Sequence, residues 1–340
     1  MNRDDPERFA HDVFWKQAYA GAPYNLPVIG LEPLLMQIHR DEVAAFYRRW
    51  YVPNNMVLSI AGDVTAQTAL PEVSRVFGGL SMKPFPQALL PVNAPLLGRH
   101  DYEEQYPGQT AFMIVGFPSV ALTEPDAPVL DIIAALMGRG ESSRLYKRLV
   151  KDEKLVYGVS ASNYTPGFRG IFSVQCVLEP GDKLKVLEEL FAAFLNLKKQ
   201  PVSFDELEKV KNSYIAESVF QQETVESLAS VMASDYVYTG NPRFSRAYLD
   251  AAARVKAQDV QRCARDYFSE DKCVTVMLRP KDAQEPEAPL KQTAATITTL
   301  RTLKNGMRVL LKKDPAFPTV SVQVCIGGGT RFEHNADNGL

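Results

Sequence analysis

The sequence predicts an α+β fold of repeated domains, each a mainly antiparallel sheet that helices cover on one face. Three observations support this prediction. The apolar residues change from a helical period to a strand period in the middle of the chain, a helix, turn and strand recur once at a fixed distance, and 46% of the residues are hydrophobic. A chain of 340 residues is too long for one ordinary core. We therefore expect one complete copy of the domain with partial copies beside it.

The change of period lies between residues 128 and 178. Two helices come first: one from Val129 that stops at Gly138 and Gly140, and a second with Leu145 and Leu149 on one face. An alternating strand follows from Leu155 to Ser162. A turn at Thr165-Pro166-Gly167 then leads to a return strand from Phe172 to Leu178. This stretch predicts the order helix, helix, strand, turn, strand.

The internal repeat relates residues 43–60 to residues 260–277. Val43 to Tyr51 aligns with Val260 to Phe268, and Met56 to Ile60 aligns with Cys273 to Met277, at a constant shift of 217 residues. The recurring helix, polar turn and strand indicate that the same kind of domain ends twice. Counted back from its end, the first copy contains only its closing half.

The remaining pattern predicts the other elements and the domain limits. Helices are expected from Pro6 to about Ala20, from Leu31, from Asp41 to Trp50 and from Asp182 to about Lys199, and a strand from Met56 to Ala61. A long helix begins at Ser203, which with Glu206 has the spacing of a capping box, and residues 300–326 hold two strand patterns. We predict a first partial domain at 1–80, a proline-rich linker at 81–99, a complete domain at 100–280, a polar linker at 281–297, and the start of a third domain at 298–340.

Composition excludes several classes of protein. The net charge is −2 and the pI about 6.2, so no basic field predicts binding to nucleic acid or to an anionic membrane. No signal peptide is recognisable and no apolar run has membrane-spanning length, so we expect a soluble protein of the bacterial periplasm or cytoplasm. The four cysteines contain no Cys-x-x-Cys and are expected to be buried thiols: Cys176, Cys263, Cys273 and Cys325.

Three groups of residues occur in the order found in one family. The middle group is Ser142 to Tyr146 followed by Leu155 to Ala161. The earlier group comprises Pro27 to Gly30, Tyr51 to Met56, and Gly62-Asp63, and the later group comprises Leu303 to Val309 and Gly327 to Glu333. Together they resemble the second-domain signature, the end of a first domain and the opening of a metal-binding domain in the pitrilysin or insulinase zinc metallopeptidases, which include the mitochondrial processing peptidases. The resemblance implies a LuxS-like or processing-peptidase-like metallopeptidase fold.

The resemblance also implies zinc chemistry, for which this chain lacks the ligands. Family members hold zinc with an H-x-x-E-H helix and a distant Glu, the helix Glu acting as general base toward a bound water. The four histidines here are isolated and are expected at the surface: His11, His39, His100 and His334. By resemblance, the corresponding motifs would lie just before Met1 and just after Leu340. We expect zinc in the intact parent protein and none in this chain.

One residue matches the part of the family site that does not bind metal. Family members use an Arg and a Tyr seven residues apart to anchor the substrate carbonyl. Tyr157 matches the Tyr, but Val150 stands where the Arg would be, and the neighbouring Arg148 and Lys151 would point elsewhere on a helix. Tyr157 could equally be a half-buried strand residue. Family members also bind substrate as an added strand on a sheet edge, and the sequence does not identify that edge.

The glycine-rich segments are expected to be turns. Gly138 and Gly140 are too few to match the long glycine-rich loop of processing-peptidase α subunits. Gly327 to Gly329 lack the Gly-Lys-Ser/Thr of a phosphate-binding loop.

The resemblance leaves two functions open. The first is a segment of an insulinase-like zinc metalloendopeptidase that forms the wall of a peptide-binding chamber away from the metal, inactive alone. The second is a non-catalytic scaffold or partner subunit like the core proteins of respiratory complexes. Either would have peptide or protein substrates, or neighbouring peptidase-like domains or subunits, as partners.

Overall fold

The structure of this protein is a computed structural model that describes residues 5–20, 22–28, 30–85, 98–281, 298–305 and 307–312. It divides into two units, Met1–Glu285 and Pro286–Leu340. The helices of the first unit are α1 Pro6–Ala18, α2 Glu32–Leu35, α3 Arg40–Trp50, α4 Ala66–Phe77, α5 Ala127–Gly138, α6 Lys183–Lys199, α7 Phe204–Phe220, α8 Val225–Thr239, α9 Phe244–Ala253 and α10 Ala257–Tyr267. Its strands are β1 His100–Tyr106, β2 Ala111–Pro118, β3 Val156–Tyr164, β4 Ile171–Leu178 and β5 Val274–Pro280.

The five strands form one sheet in the order β1-β5-β2-β4-β3. Every pair is antiparallel except β1 with β5, which run parallel. The apolar faces of α5, α6 and α10 pack on one side of the sheet and form its larger core, centred on Phe117, Phe172, Phe194 and Phe268. The predicted α+β fold is confirmed.

The opposite face of the sheet is covered in part by α1. Asp5 caps this helix by accepting a hydrogen bond from the Arg8 amide, and the helix then buries Ala10, Val13 and Phe14. These side chains meet Ile114, Val276 and other apolar residues of β2 and β5 in a second core. The helix was predicted within the preceding partial domain, yet it packs against the sheet of the complete one. Helices therefore lie on both faces of this sheet.

Two local irregularities distinguish the observed chain from the sequence prediction. The second helix of the 128–178 stretch is a seven-residue π-helix, Tyr146–Asp152, with Leu145 and Leu149 buried as predicted. The register of β3 shifts between Val156 and Gly158, so that Tyr157 has no opposite residue on β4. The predicted alternation places Tyr157 on the face of Val159. The bulge breaks this pattern and leaves Tyr157 64% exposed.

The internal repeat is visible in the backbone. The helices α3 and α10 have the same length, and a 3₁₀ turn follows each at the same distance, at Pro53–Asn55 and at Glu270–Lys272. The prediction of a strand from Met56 to Ala61 is wrong, however, because this segment has no strand assignment. A strand needs a hydrogen-bonding partner, and no described residue pairs with this segment.

The second unit contains a short hairpin of β6 Thr298–Thr302 and β7 Arg308–Lys312. Of the two strand patterns predicted for residues 300–326, the one before Pro315 is therefore a pair of antiparallel strands. The predicted linkers beyond residues 85 and 281, the predicted strand before Ile326, Gly327 to Gly329, His334 and Cys325 lie outside the described residues.

Two smaller predictions can be compared directly. Cys176, Cys263 and Cys273 are buried free thiols. Ser203 caps α7 by accepting a hydrogen bond from the Glu206 amide, but the Glu206 carboxylate binds Arg144 instead of completing the capping box. Among the described residues, no helix has the length and apolar character needed to cross a membrane.

Candidate functional site

The strand β3 forms one edge of the sheet, and no described strand pairs with its outer side. Its sequence, Val156 to Tyr164, contains no charged residue. The opposite edge strand β1 instead carries Asp101, Glu103 and Glu104. Charged side chains protect an exposed sheet edge from pairing with another chain. The edge of β1 has this protection and the edge of β3 does not, and we call the outer edge of β3 the open edge.

Tyr157 lies at the start of this open edge, where the bulge turns it outward. Its hydroxyl donates a hydrogen bond to the Glu179 carboxylate at the end of β4. This hydrogen bond raises the pKa of Tyr157 above its ordinary value, because the nearby carboxylate disfavours the phenolate. The side chain is exposed and held in one place by a surface acceptor.

The position of the missing Arg partner lies in the π-helix Tyr146–Asp152. Val150 is half-buried and packs against the larger core, so this position faces inward. Arg148 binds Glu189 through two nitrogens at 2.7 and 2.9 Å, and Lys151 binds Glu141 at 3.0 Å. Both cations therefore bind other carboxylates.

A groove lies beside the open edge on the face of the sheet that α1 partly covers. It has a volume of about 220 Å³, with Glu7 and His11 of α1 on one wall and Gly158 to Ser160 of β3 on the other. Gln175 of β4 lies in its floor. Neither Glu7 nor His11 has an ion pair among the described residues. The groove combines apolar walls with a few polar groups, which is the usual character of a small binding site.

A buried polar cluster fixes β3 from the other face. The Asp131 carboxylate on α5 accepts hydrogen bonds of 2.8 Å from Asn163 of β3, Tyr214 of α7 and Tyr248 of α9. Burial raises the pKa of Asp131, although each of these hydrogen bonds acts in the opposite direction. No sequence pattern predicts this cluster, since its members lie far apart in the chain and an isolated Asp in an apolar helix carries no spacing signal.

Close packing also positions β3 against α5. A Cβ atom built on Gly138 would lie 2.2 Å from the backbone nitrogen of Ala161. The helix ends here as predicted, and Gly140 then adopts a φ of 71°. The glycine at 138 therefore has a second role, because it lets α5 contact the backbone of β3.

Within the part of the chain that the structure describes, no group of three or more His, Cys, Asp or Glu residues could hold a metal ion. The described histidines are separate: His11 is half-buried on α1, and His39 and His100 are exposed. The fold and the candidate site thus define a class of domain: an α+β domain with one uncharged sheet edge and, among the described residues, no cluster of metal-ligating side chains.

The comparison with known families agrees with this class. Residues 37–214 match the model of the peptidase M16 inactive domain, and the chain belongs to this family. The predicted resemblance to pitrilysin and insulinase zinc metallopeptidases is thereby confirmed.

Relatives with similar sequences are named as zinc proteases. An uncharacterized zinc protease of Streptomyces coelicolor is 25% identical over 298 residues, covering 84% of this chain and 63% of the relative. The zinc protease PqqE of Helicobacter pylori is 25% identical over 281 residues, covering 78% of this chain and 61% of the relative. The chain therefore spans less than two thirds of these relatives' length.

Solved structures share the fold. A peptidase M16 inactive domain from Pseudomonas fluorescens superposes with a TM-score of 0.73 at 18% identity, covering 83% of this chain and 67% of that one. A protease from Helicobacter pylori gives a TM-score of 0.71 at 23% identity, covering 77% and 64%. At these identities the likeness supports the α+β fold of the described units.

Proposed function

We propose that this chain forms the metal-free wall of a peptide-binding chamber in an insulinase-like zinc metallopeptidase, and that it holds an extended peptide along the outer edge of β3. Residues 100–280 are the complete domain of this wall, residues 1–80 close a preceding domain, and residues 298–340 open a following one. Zinc and the catalytic residues belong to neighbouring domains of the same parent protein or to a homologous subunit.

The observation that carries the proposal is the contrast between the two sheet edges. An added peptide strand binds through backbone hydrogen bonds, so it needs an edge without charged side chains. The edge of β3 meets this condition and that of β1 does not. The groove between α1 and β3 provides room for peptide side chains beside the same edge.

Tyr157 is the side chain that we propose for a direct contact with the peptide. It is exposed at the beginning of the open edge, and Glu179 orients its hydroxyl. Without an Arg partner, Tyr157 contributes one hydrogen bond and an aromatic surface. This role corresponds to binding and positioning of the peptide.

The test is a binding measurement with a fluorescently labelled, extended decapeptide and the 340-residue chain. We expect N-methylation of alternate peptide amides to weaken binding at least about tenfold, because each lost backbone hydrogen bond to a strand costs about 1 kcal/mol. Tyr157→Ala is expected to weaken it by about threefold to tenfold. The control is Tyr102→Ala, which removes a tyrosine from the β1 edge that also contacts a neighbouring carboxylate.

Four results would contradict the proposal. One is the absence of peptide binding, and another is binding that N-methylation does not change. A third is zinc bound in stoichiometric amount with chelator-sensitive cleavage by this chain alone. A stronger effect of Tyr102→Ala than of Tyr157→Ala would place the peptide at the other edge.

A further inference from the structure

A second cavity lies between α7 and the connection from α9 to α10. It has a volume of about 460 Å³, about twice that of the groove beside β3, and it shares no lining residue with that groove. We call it the α7–α10 cavity. A cavity of this size is within the range of small-molecule binding sites. The proposed binding of a peptide along β3 does not involve it.

Part of the lining of the α7–α10 cavity is apolar and buried. Val202, Leu207 and Val255 line it and are each at most 5% exposed. Phe204, the first residue of α7, lines the same cavity but is 77% exposed. An aromatic ring this exposed beside buried aliphatic side chains offers contact area to an apolar ligand.

A buried lysine fixes one wall of the cavity. The Lys211 ammonium group on α7 donates hydrogen bonds to the carbonyl oxygens of Ala253 at 2.9 Å and Val255 at 3.3 Å, and it pairs with the Glu208 carboxylate. These three acceptors match its three protons. Lys211 therefore holds the connection between α9 and α10 against α7, and the charge of Glu208 is already balanced.

The same connection supplies two cations without acidic partners. Arg254 and Lys256 both line the cavity, and neither forms an ion pair with a described residue. The next acid along α10, Asp259, accepts a hydrogen bond from the Lys256 backbone amide. The lining contains three cations and one carboxylate, which leaves a charge of +2. An anionic group placed there would gain charge-assisted hydrogen bonds.

We propose that the α7–α10 cavity binds a small apolar monocarboxylate. Its carboxylate is held by Arg254 and Lys256, and its apolar body lies against Phe204 and the buried aliphatic side chains. An arginine guanidinium matches a carboxylate with two parallel hydrogen bonds. The apolar lining distinguishes this ligand from an inorganic anion, which would leave that lining without a contact.

A peptide is a poorer occupant of this cavity. The polar side chains of the lining are all charged: Glu208, Lys211, Arg254 and Lys256. The backbone amides of a peptide would therefore lose water beside apolar side chains without gaining hydrogen-bond partners. A carboxylate with a hydrocarbon body has no such groups.

The binding test titrates the full 340-residue chain with octanoate and follows the heat of binding by calorimetry. We expect saturable binding of one octanoate per chain. Hexanoate is expected to bind at least about fivefold more weakly, because each buried methylene contributes about a fourfold gain in affinity. Octanol, which has the same chain length without the charge, is expected to bind at least about fivefold more weakly than octanoate.

Single variants locate the site. Arg254→Gln and Lys256→Gln are each expected to weaken octanoate binding by about threefold to tenfold. The matched control is Lys209→Gln, which removes an exposed cation of α7 that does not line the cavity, and it should leave the affinity unchanged. All three side chains are exposed, so the variants are expected to fold like the parent chain. In methyl NMR spectra of the parent chain, octanoate should shift the signals of Val202, Leu207 and Val255.

The proposal is overturned if octanoate shows no saturable binding, or if octanol binds as tightly as octanoate. It is equally overturned if Arg254→Gln and Lys256→Gln both bind octanoate like the parent chain, or if the three methyl signals do not move. These measurements use no peptide, so they and the test of the proposed function fail independently.

Discussion

Replacing Gly138 by alanine tests the close contact between α5 and β3. The added methyl carbon would lie 2.2 Å from the Ala161 nitrogen and 2.6 Å from its Cβ. Both atoms belong to a paired strand, so no flexible side chain can move away. A return to an ordinary contact of about 3.4 Å requires a displacement of about 1 Å between helix and strand.

The expected cost of this displacement is about 2 kcal/mol of unfolding free energy. Overpacking of a well-packed core costs about 1–3 kcal/mol, and the better helix propensity of alanine offsets at most about 1 kcal/mol. For a domain of this size, the midpoint of thermal unfolding should fall by roughly 4–8 °C. Circular dichroism melts and urea titrations measure both quantities.

The matched control is Gly158→Ala in β3. A Cβ atom at Gly158 meets nothing within 4 Å, and Gly158 is not among the glycines with positive φ. We expect its stability to stay within about 0.5 kcal/mol of the parent. The reasoning is refuted if Gly138→Ala is as stable as the parent protein while the control behaves as expected.

Three other predictions concern charged and buried groups. Arg262 lowers the pKa of Asp126 from its ordinary value of 3.8, so this pair stabilises the fold above that value and the stabilisation is lost as pH falls through the lowered pKa. In urea titrations, Asp126→Asn should cost about 1 kcal/mol at pH 7 and progressively less as pH falls through that lowered pKa. Lys211→Met should destabilise the protein by about 1–3 kcal/mol. The reason is that the buried ammonium group donates hydrogen bonds to carbonyl oxygens at the end of α9, including that of Ala253 at 2.9 Å. The control Lys209→Met should leave the stability unchanged. Burial raises the pKa of Cys176 to about 12, so a thiol reagent should label it at pH 8 only under denaturing conditions.

The sequence predicted the elements whose signals are local. The helix that stops at Gly138, the strand pair around Thr165 and the cap at Ser203 each depend on neighbouring residues, and each is present. The shift of 217 residues was also correct for the helix and the turn. In these cases periodicity and turn chemistry contain the necessary information.

The features that were missed depend on tertiary contacts. The bulge at Tyr157 changes which strand residues face the core, and alternation alone cannot show an inserted residue. The Met56–Ala61 prediction was wrong because β propensity does not supply a neighbouring strand. Most of the candidate site, including the Asp131 cluster and the groove beside α1, comes from residues far apart in sequence.

The position of β5 has a consequence for synthesis of the protein on the ribosome. Because β5 lies between β1 and β2, the nascent chain cannot complete the sheet in the order in which the strands are made. His100 of β1 can pair with Val274 of β5 only after Val274 has left the ribosome. Any earlier pairing of β1 directly with β2 would have to break before the sheet forms. Folding of this domain during translation is therefore limited by the appearance of its last strand.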